Sequence, residues 1–236
     1  MQLEIKNIEK SFGSKNVLSG INFTFEQGKI YGLLGRNGAG KTTLFNCLSG
    51  EMEPDNGQAF LIGEDGHKAV LAPEKIGYVY ATPVLPEFLT GYEFIKFYMD
   101  INKEHLLPGK TADDYLELVQ INQDDRHRLI KGYSYGMKNK LQMLCFLISK
   151  PPVMLLDEPL TSLDVVVALE MKKLLREMKQ DHILLFSTHI LQLATDLCDE
   201  IVLLNNGTLE QIDHSMIHEP TFEENIISLL KDESKS

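Results

Sequence analysis

Eight residues, Gly35-Arg36-Asn37-Gly38-Ala39-Gly40-Lys41-Thr42, constrain this chain more than any other stretch. They fit G-x-x-x-x-G-K-[ST], and they lie between an apolar run, Ile30 to Leu34, and a helical run, Leu44 to Leu48. A strand that enters a glycine-rich loop and leaves it as a helix is suited to hold phosphate. Glycines let backbone N–H groups curl round phosphate oxygens, and the helix N-terminus adds partial positive charge. Lys41 can reach β- and γ-phosphates, and the Thr42 hydroxyl can ligate Mg²⁺. A dinucleotide fingerprint fits less well, because it contains no lysine at this position.

Two further apolar runs end in polar groups. Val153 to Leu156 ends in Asp157-Glu158. A continuous apolar strand suits burial on both faces of a parallel sheet, whose ligands gather beyond the strand C-termini. Two adjacent carboxylates there are costly unless an ion or partner meets them. Asp157 is expected to hold Mg²⁺, directly or through water, and Glu158 to polarise an attacking water. Ile183 to Phe186 ends in Ser187-Thr188-His189, which puts His189 within reach of a γ-phosphate. Gly132 to Lys138 precedes a helical stripe of Met137, Leu141, Leu144, Cys145 and Ile148. Ser134 reads as its N-cap. Lys138 and Lys140 carry the wrong charge for early helical turns, and an external anion would resolve the conflict.

The first 30 residues alternate and break at Gly13, Gly20 and Gly28, as antiparallel strands and turns do. Asn56-Gly57 reads as a turn before a strand at Ala59 to Ile62. Between about 87 and 150 the pattern turns helical. Afterwards strand and helix alternate, with Val165 to Met178 as a helix. The fold class predicted is α/β, a phosphate-binding core with a mainly parallel sheet, an N-terminal antiparallel β-subdomain and an inserted helical subdomain. Residues 1–218 form the main body and 219–236 an acidic tail, whose apolar segment reads as a docked helix.

Composition excludes several classes. Basic residues number 23 and acidic residues 34, a net charge of −11. Residues 181–236 hold 11 acids against Lys231 and Lys235, so the first 180 residues are nearly neutral. Such a chain lacks the clustered Lys and Arg of a nucleic-acid binder, and none is expected as partner. Cys47, Cys145 and Cys198 are far apart among apolar residues and read as free thiols of a reducing compartment. Met1 to Lys6 lacks the apolar core of a signal peptide, and no stretch approaches the ~18 apolar residues of a membrane span. The expectation is a soluble, cytoplasmic protein that meets a membrane only through a partner.

In this order the motifs resemble the nucleotide-binding subunits of ABC transporters, over about residues 2 to 215. Gly35–Thr43 looks like the Walker A motif of P-loop NTPases. Leu155 to Glu158 resembles Walker B with its catalytic glutamate. Ser162-Leu163-Asp164 resembles the D-loop, and His189 the switch histidine. Phe12 stands where the family places a ring that stacks on adenine. Tyr133 to Met137 matches the signature L-S-G-G-Q, with Ser134 and Gly136 kept. The resemblance implies ATP and Mg²⁺ as ligands. It implies a polytopic membrane permease as partner, and a location on the cytoplasmic membrane face through it. It also implies a second cassette, identical or different, that completes each site with its own Ser134 and Gly136.

Two departures stand out. Tyr133, Tyr135 and Met137 replace Leu, Gly and Gln of the signature. After Ile76-Gly77-Tyr78-Val79-Tyr80, where the family usually has glutamine, this chain has Ala81. The relaxed signature and Leu89-Thr90-Gly91-Tyr92-Glu93-Phe94 resemble subunits that serve export of peptides, drugs or polysaccharides. The competing expectation is a soluble ABC ATPase acting as an assembly factor. A non-hydrolytic ATP sensor fits poorly beside Lys41, Asp157, Glu158 and His189.

Overall fold

A computed structural model describes residues 1–106, 108–160, 165–213 and 222–231. The strands are β1 (Gln2–Phe12), β2 (Lys15–Glu26), β3 (Ile30–Leu34), β4 (Asn56–Ile62), β5 (Lys68–Val70), β6 (Ile76–Val79), β7 (Val153–Asp157), β8 (Ile183–Thr188), β9 (Glu200–Asn205) and β10 (Thr208–Gln211). The helices are α1 (Lys41–Ser49), α2 (Gly91–Ile101), α3 (Ala112–Leu118), α4 (Gln123–Arg126), α5 (Tyr135–Ser149), α6 (Val165–Met178), α7 (Leu191–Leu197) and α8 (Phe222–Lys231). Contacts divide the chain into two units. One joins Met1–Tyr78, Pro152–Glu158 and Leu175–Ser236, and the other joins Val79–Pro151 and Pro159–Leu174.

In the first unit, β2-β1-β4-β5 form an antiparallel sheet, and a six-stranded sheet runs β10-β9-β3-β8-β7-β6. Every residue of β3, β7 and β8 is buried, as strands covered on both faces must be. β3 pairs in parallel with β8 and β9, and β7 with β8. Their register sets Leu34 opposite Thr188 and Asp157 opposite Ser187. The three polar strand ends read from the sequence therefore emerge at one edge of one sheet. Beneath them Leu3 and Phe25 of the antiparallel sheet share a core with Leu44 and Leu48 of α1 and Leu155 of β7. A smaller cluster holds Phe222 and Ile226 of α8 against Leu34, Ala194, Ile201 and Leu203.

The structure corrects the reading of Asn56-Gly57. The pair opens β4 rather than forming a turn before it. The β1–β4 register shifts between Lys6 and Glu9, and Gly57 sits at that irregularity with φ +83°. A Cβ there would stand 2.1 Å from the Asn7 carbonyl oxygen, so only glycine fits. Gly57→Ala is expected to cost about 3 kcal/mol through left-handed strain and backbone clash. In thermal denaturation followed by circular dichroism, that is a fall in Tm of roughly 6–12 °C for a chain of this size.

The second unit is helical around Phe94, Ile95, Tyr115, Leu116, Leu141 and Leu144. Capping boxes start α2 at Thr90 with Glu93 and α3 at Thr111 with Asp114. Ser134 caps α5 as expected, its hydroxyl accepting from the Met137 N–H at 3.2 Å. The segment before α2 is bonded to the segment before α5, with Ile130 N donating to Leu89 O at 2.8 Å. Among the described residues no helix is long and apolar enough to cross a membrane.

Candidate active site

The glycine-rich loop leaves β3 at Gly35 and enters α1 at Lys41, with Arg36, Asn37, Gly38 and Ala39 between. Gly40 takes φ +109°, which no L side chain adopts readily, and packs against Val17. Lys41 is folded back over its own loop. Its buried ammonium donates to the Gly35 carbonyl at 2.8 Å and the Arg36 carbonyl at 3.3 Å. It also lies 3.8 Å from the Glu158 carboxylate. Burial lowers the Lys41 pKa below its usual 10.5, against the attraction of Glu158 and Asp157.

The acids are held just as closely. Thr42 Oγ donates to Asp157 Oδ2 at 2.7 Å, and Ser187 Oγ donates to Asp157 Oδ1 at 2.5 Å. The same Ser187 oxygen accepts the Glu158 N–H at 3.1 Å. Glu158 has φ +50°, an uncommon geometry for a side-chain-bearing residue, and strain of this kind costs about 1–3 kcal/mol. The turn aims its carboxylate at His189, whose Nδ1 lies 2.9 and 3.0 Å from the two oxygens. Since a carboxylate only accepts, Nδ1–H is the donor. Lys41, Thr42, Asp157, Glu158, Ser187 and His189 thus form one connected polar group at the sheet edge. Ser187 is the member that sequence reasoning passed over. Its signal was its place as the first polar residue after the apolar run Ile183 to Phe186.

A cavity of about 490 Å³ opens beside the loop. Arg36, Asn37, Gly38 and Ala39 form one wall, and Lys15, Asn16 and Val17 of β2 another. The Asn206-Gly207 turn between β9 and β10 closes the third side. That turn is pinned by Ser19 N donating to Gly207 O at 2.8 Å. Nothing in residue spacing announces this third wall. Phe12 lies opposite Lys15 in the β1–β2 register and is 49% exposed, outside the cavity lining. Thr43 follows Thr42 in the first turn of α1 and is half-buried.

Ser134 and Gly136 lie in the second unit, at the start of α5. Asp164, with Ser162 and Leu163, lies outside the described residues. Both lysines in the early turns of this helix have carboxylate partners. Lys138 Nζ lies 2.6 Å from Glu87 Oε1, and Lys140 Nζ 2.9 Å from Glu170 Oε2. Cys47 and Cys145 are buried free thiols and Cys198 a partly buried one; burial raises the pKa of all three.

A family model for the ABC transporter matches residues 18–161. The chain is 35% identical over 217 residues to a probable sulfate/thiosulfate import ATP-binding protein of Chlorella vulgaris, covering 90% of this chain and 91% of that one. It is 34% identical to the sulfate/thiosulfate import ATP-binding protein of a Synechocystis species, covering 90% of this chain but only 60% of that longer one. A solved ATP-binding subunit of an ABC transporter superposes with a TM-score of 0.80 at 27% identity, covering 98% of this chain and all of the other. The chain belongs to the ABC transporter family as an ATP-binding, ATP-hydrolysing cassette.

Proposed function

We propose that this cassette drives a transporter by ATP hydrolysis, through a separate polytopic membrane subunit. The observation that carries the reading is the connected group Lys41–Glu158–His189 and Thr42–Asp157–Ser187 at one sheet edge. Backbone N–H groups of the loop and Lys41 would bind the β- and γ-phosphates. Thr42 and Asp157 supply hydroxyl and carboxylate oxygens 2.7 Å apart, a hard donor set that suits Mg²⁺ with phosphates and water completing its shell. When bound, the ion would neutralise charge developing on the phosphates. Ser187 orients Asp157 for this task.

Glu158 is the base for the attacking water. As the water oxygen bonds the γ-phosphorus, the bond to the β-γ bridging oxygen breaks, and the water proton passes to the Glu158 carboxylate. ADP and phosphate result. His189 holds that carboxylate through Nδ1–H, and its other ring nitrogen, when it also carries a proton, would donate to a γ-phosphate oxygen. Two cassettes would clamp ATP head to tail, each loop facing the partner's Ser134 and Gly136, with Phe12 beside the adenine and Asp164 at the dimer seam. ATP favours the closed pair because only the γ-phosphate offers contacts to both subunits.

Export of a peptide, drug or polysaccharide is supported by the relaxed signature and the stretch Leu89 to Phe94. Import is favoured with equal weight by the relatives named above as sulfate/thiosulfate import proteins. Affinity purification of the tagged protein from detergent-solubilised native membranes is expected to bring down a stoichiometric polytopic membrane protein. Recovery with soluble proteins only, and no sedimentation with membranes, would replace transport with the assembly-factor role. Cargo uptake against efflux in vesicles bearing the recovered complex separates import from export.

A further inference from the structure

We infer that Tyr135 is a positioning residue, whose hydroxyl straps residues 81–90 to the signature turn and thereby sets Ser134. The strap lies wholly within the second unit. The role given to Ser134 rests on the head-to-tail reading above. The phenol replaces a glycine of the family signature, and Ala81 replaces the family's glutamine. These two departures meet, for the Tyr135 hydroxyl donates to the Ala81 carbonyl. Alanine has no side chain to carry a signal, but its main-chain oxygen remains, and the tyrosine reaches it.

The same two segments are joined at further points. Lys138 Nζ donates to Glu87 Oε1 at 2.6 Å, and the Lys131 N–H donates to the Glu87 carbonyl at 3.2 Å. Lys138 holds the Glu87 carboxyl below the usual carboxylate range. Ser134 precedes Tyr135 directly, and its hydroxyl is committed as the cap of α5. A displacement of residues 81–90 therefore pulls on the first turn of α5 from both Tyr135 and Lys138, and Ser134 moves with that turn. A glutamine would act through its own rotamer. Here the main chain itself is the linkage.

Tyr135→Phe removes the hydroxyl and keeps the ring. Hydrogen–deuterium exchange of the purified protein should then quicken about fivefold in residues 82–90 and 134–138, the loss of one hydrogen bond, while α3 is unchanged. Glu87→Gln should loosen the same two segments. In a Glu158→Gln background, which retards hydrolysis, Tyr135→Phe should raise the ATP concentration for half-maximal dimerisation about fivefold. Binding of a fluorescent ATP analogue to dilute monomer should not change, which a general loss of structure would not spare. Exchange within twofold of wild type in both segments, or an unchanged ATP requirement for dimerisation, overturns the inference. If the Glu158→Gln parent does not dimerise with ATP, the head-to-tail reading falls and the positioning of Ser134 with it. The exchange comparison then decides the strap alone.

Discussion

Glu158→Gln is expected to lower ATP turnover by about 10² to 10⁴, the range that a positioned general base contributes. The amide keeps the shape of the carboxylate but cannot take a proton from water. Its oxygen can still accept from His189 Nδ1–H, and the Glu158 N–H bond to Ser187 is untouched. Binding should therefore survive while hydrolysis slows. Size-exclusion chromatography with light scattering should show an ATP-dependent dimer that wild type forms only transiently. Steady-state phosphate release measures the rate. Turnover within a few-fold of wild type would remove Glu158 from the base role and leave water activation to another group.

Lys41→Met should weaken ATP binding by about 2–5 kcal/mol, at least roughly 30-fold in Kd, because it removes a buried charge from the phosphates it serves. Methionine is of similar length and apolar, so the site in β3–α1 should still pack, and circular dichroism would verify it. The pH dependence gives an independent check. Burial lowers the Lys41 pKa in the free protein, and bound phosphates must raise it, since they favour the charged form. Binding is thus strongest below the free-state pKa. As pH rises through that value, binding must take up a proton, and affinity falls by up to about tenfold per pH unit. The decline should start below the ordinary lysine value of 10.5. Titration calorimetry across alkaline pH tests this, and the Lys41→Met protein should lose the dependence. An identical alkaline profile in the variant would assign the proton to another group.

Much of the site was legible because its chemistry is local. The spacing from Gly35 to Thr42 places phosphate ligands on a loop and a helix start whatever surrounds them. Apolar runs ending in Asp157-Glu158 and in His189 announce strands that deliver polar groups at their C-termini. Helix α6 matches its predicted span, and Ser134 caps α5 as its type suggests. What failed was read locally but decided at a distance. Asn56-Gly57 has turn chemistry, yet the backbone of Asn7 made it a bulge in β4. The partners of Lys138 and Lys140 are likewise distant, Glu87 and Glu170 lying 51 and 30 positions away in the chain.

Residue type and periodicity within a dozen residues were enough to mark the groups suited to phosphate and the strand ends at which they stand. The partners that complete those groups came from packing between distant segments. Parallel pairing of β3, β8 and β7 puts Ser187 between Asp157 and Glu158 and brings His189 to Glu158, and pairing of β9 with β3 sets the Asn206-Gly207 turn beside the glycine-rich loop. Packing of the second unit likewise turns two unrelated substitutions, at 81 and 135, into one hydrogen bond. The reason is physical. A strand's chemistry travels with its sequence, but the neighbour it meets is chosen by the core that buries both, and that choice is made by contacts between residues far apart in the chain.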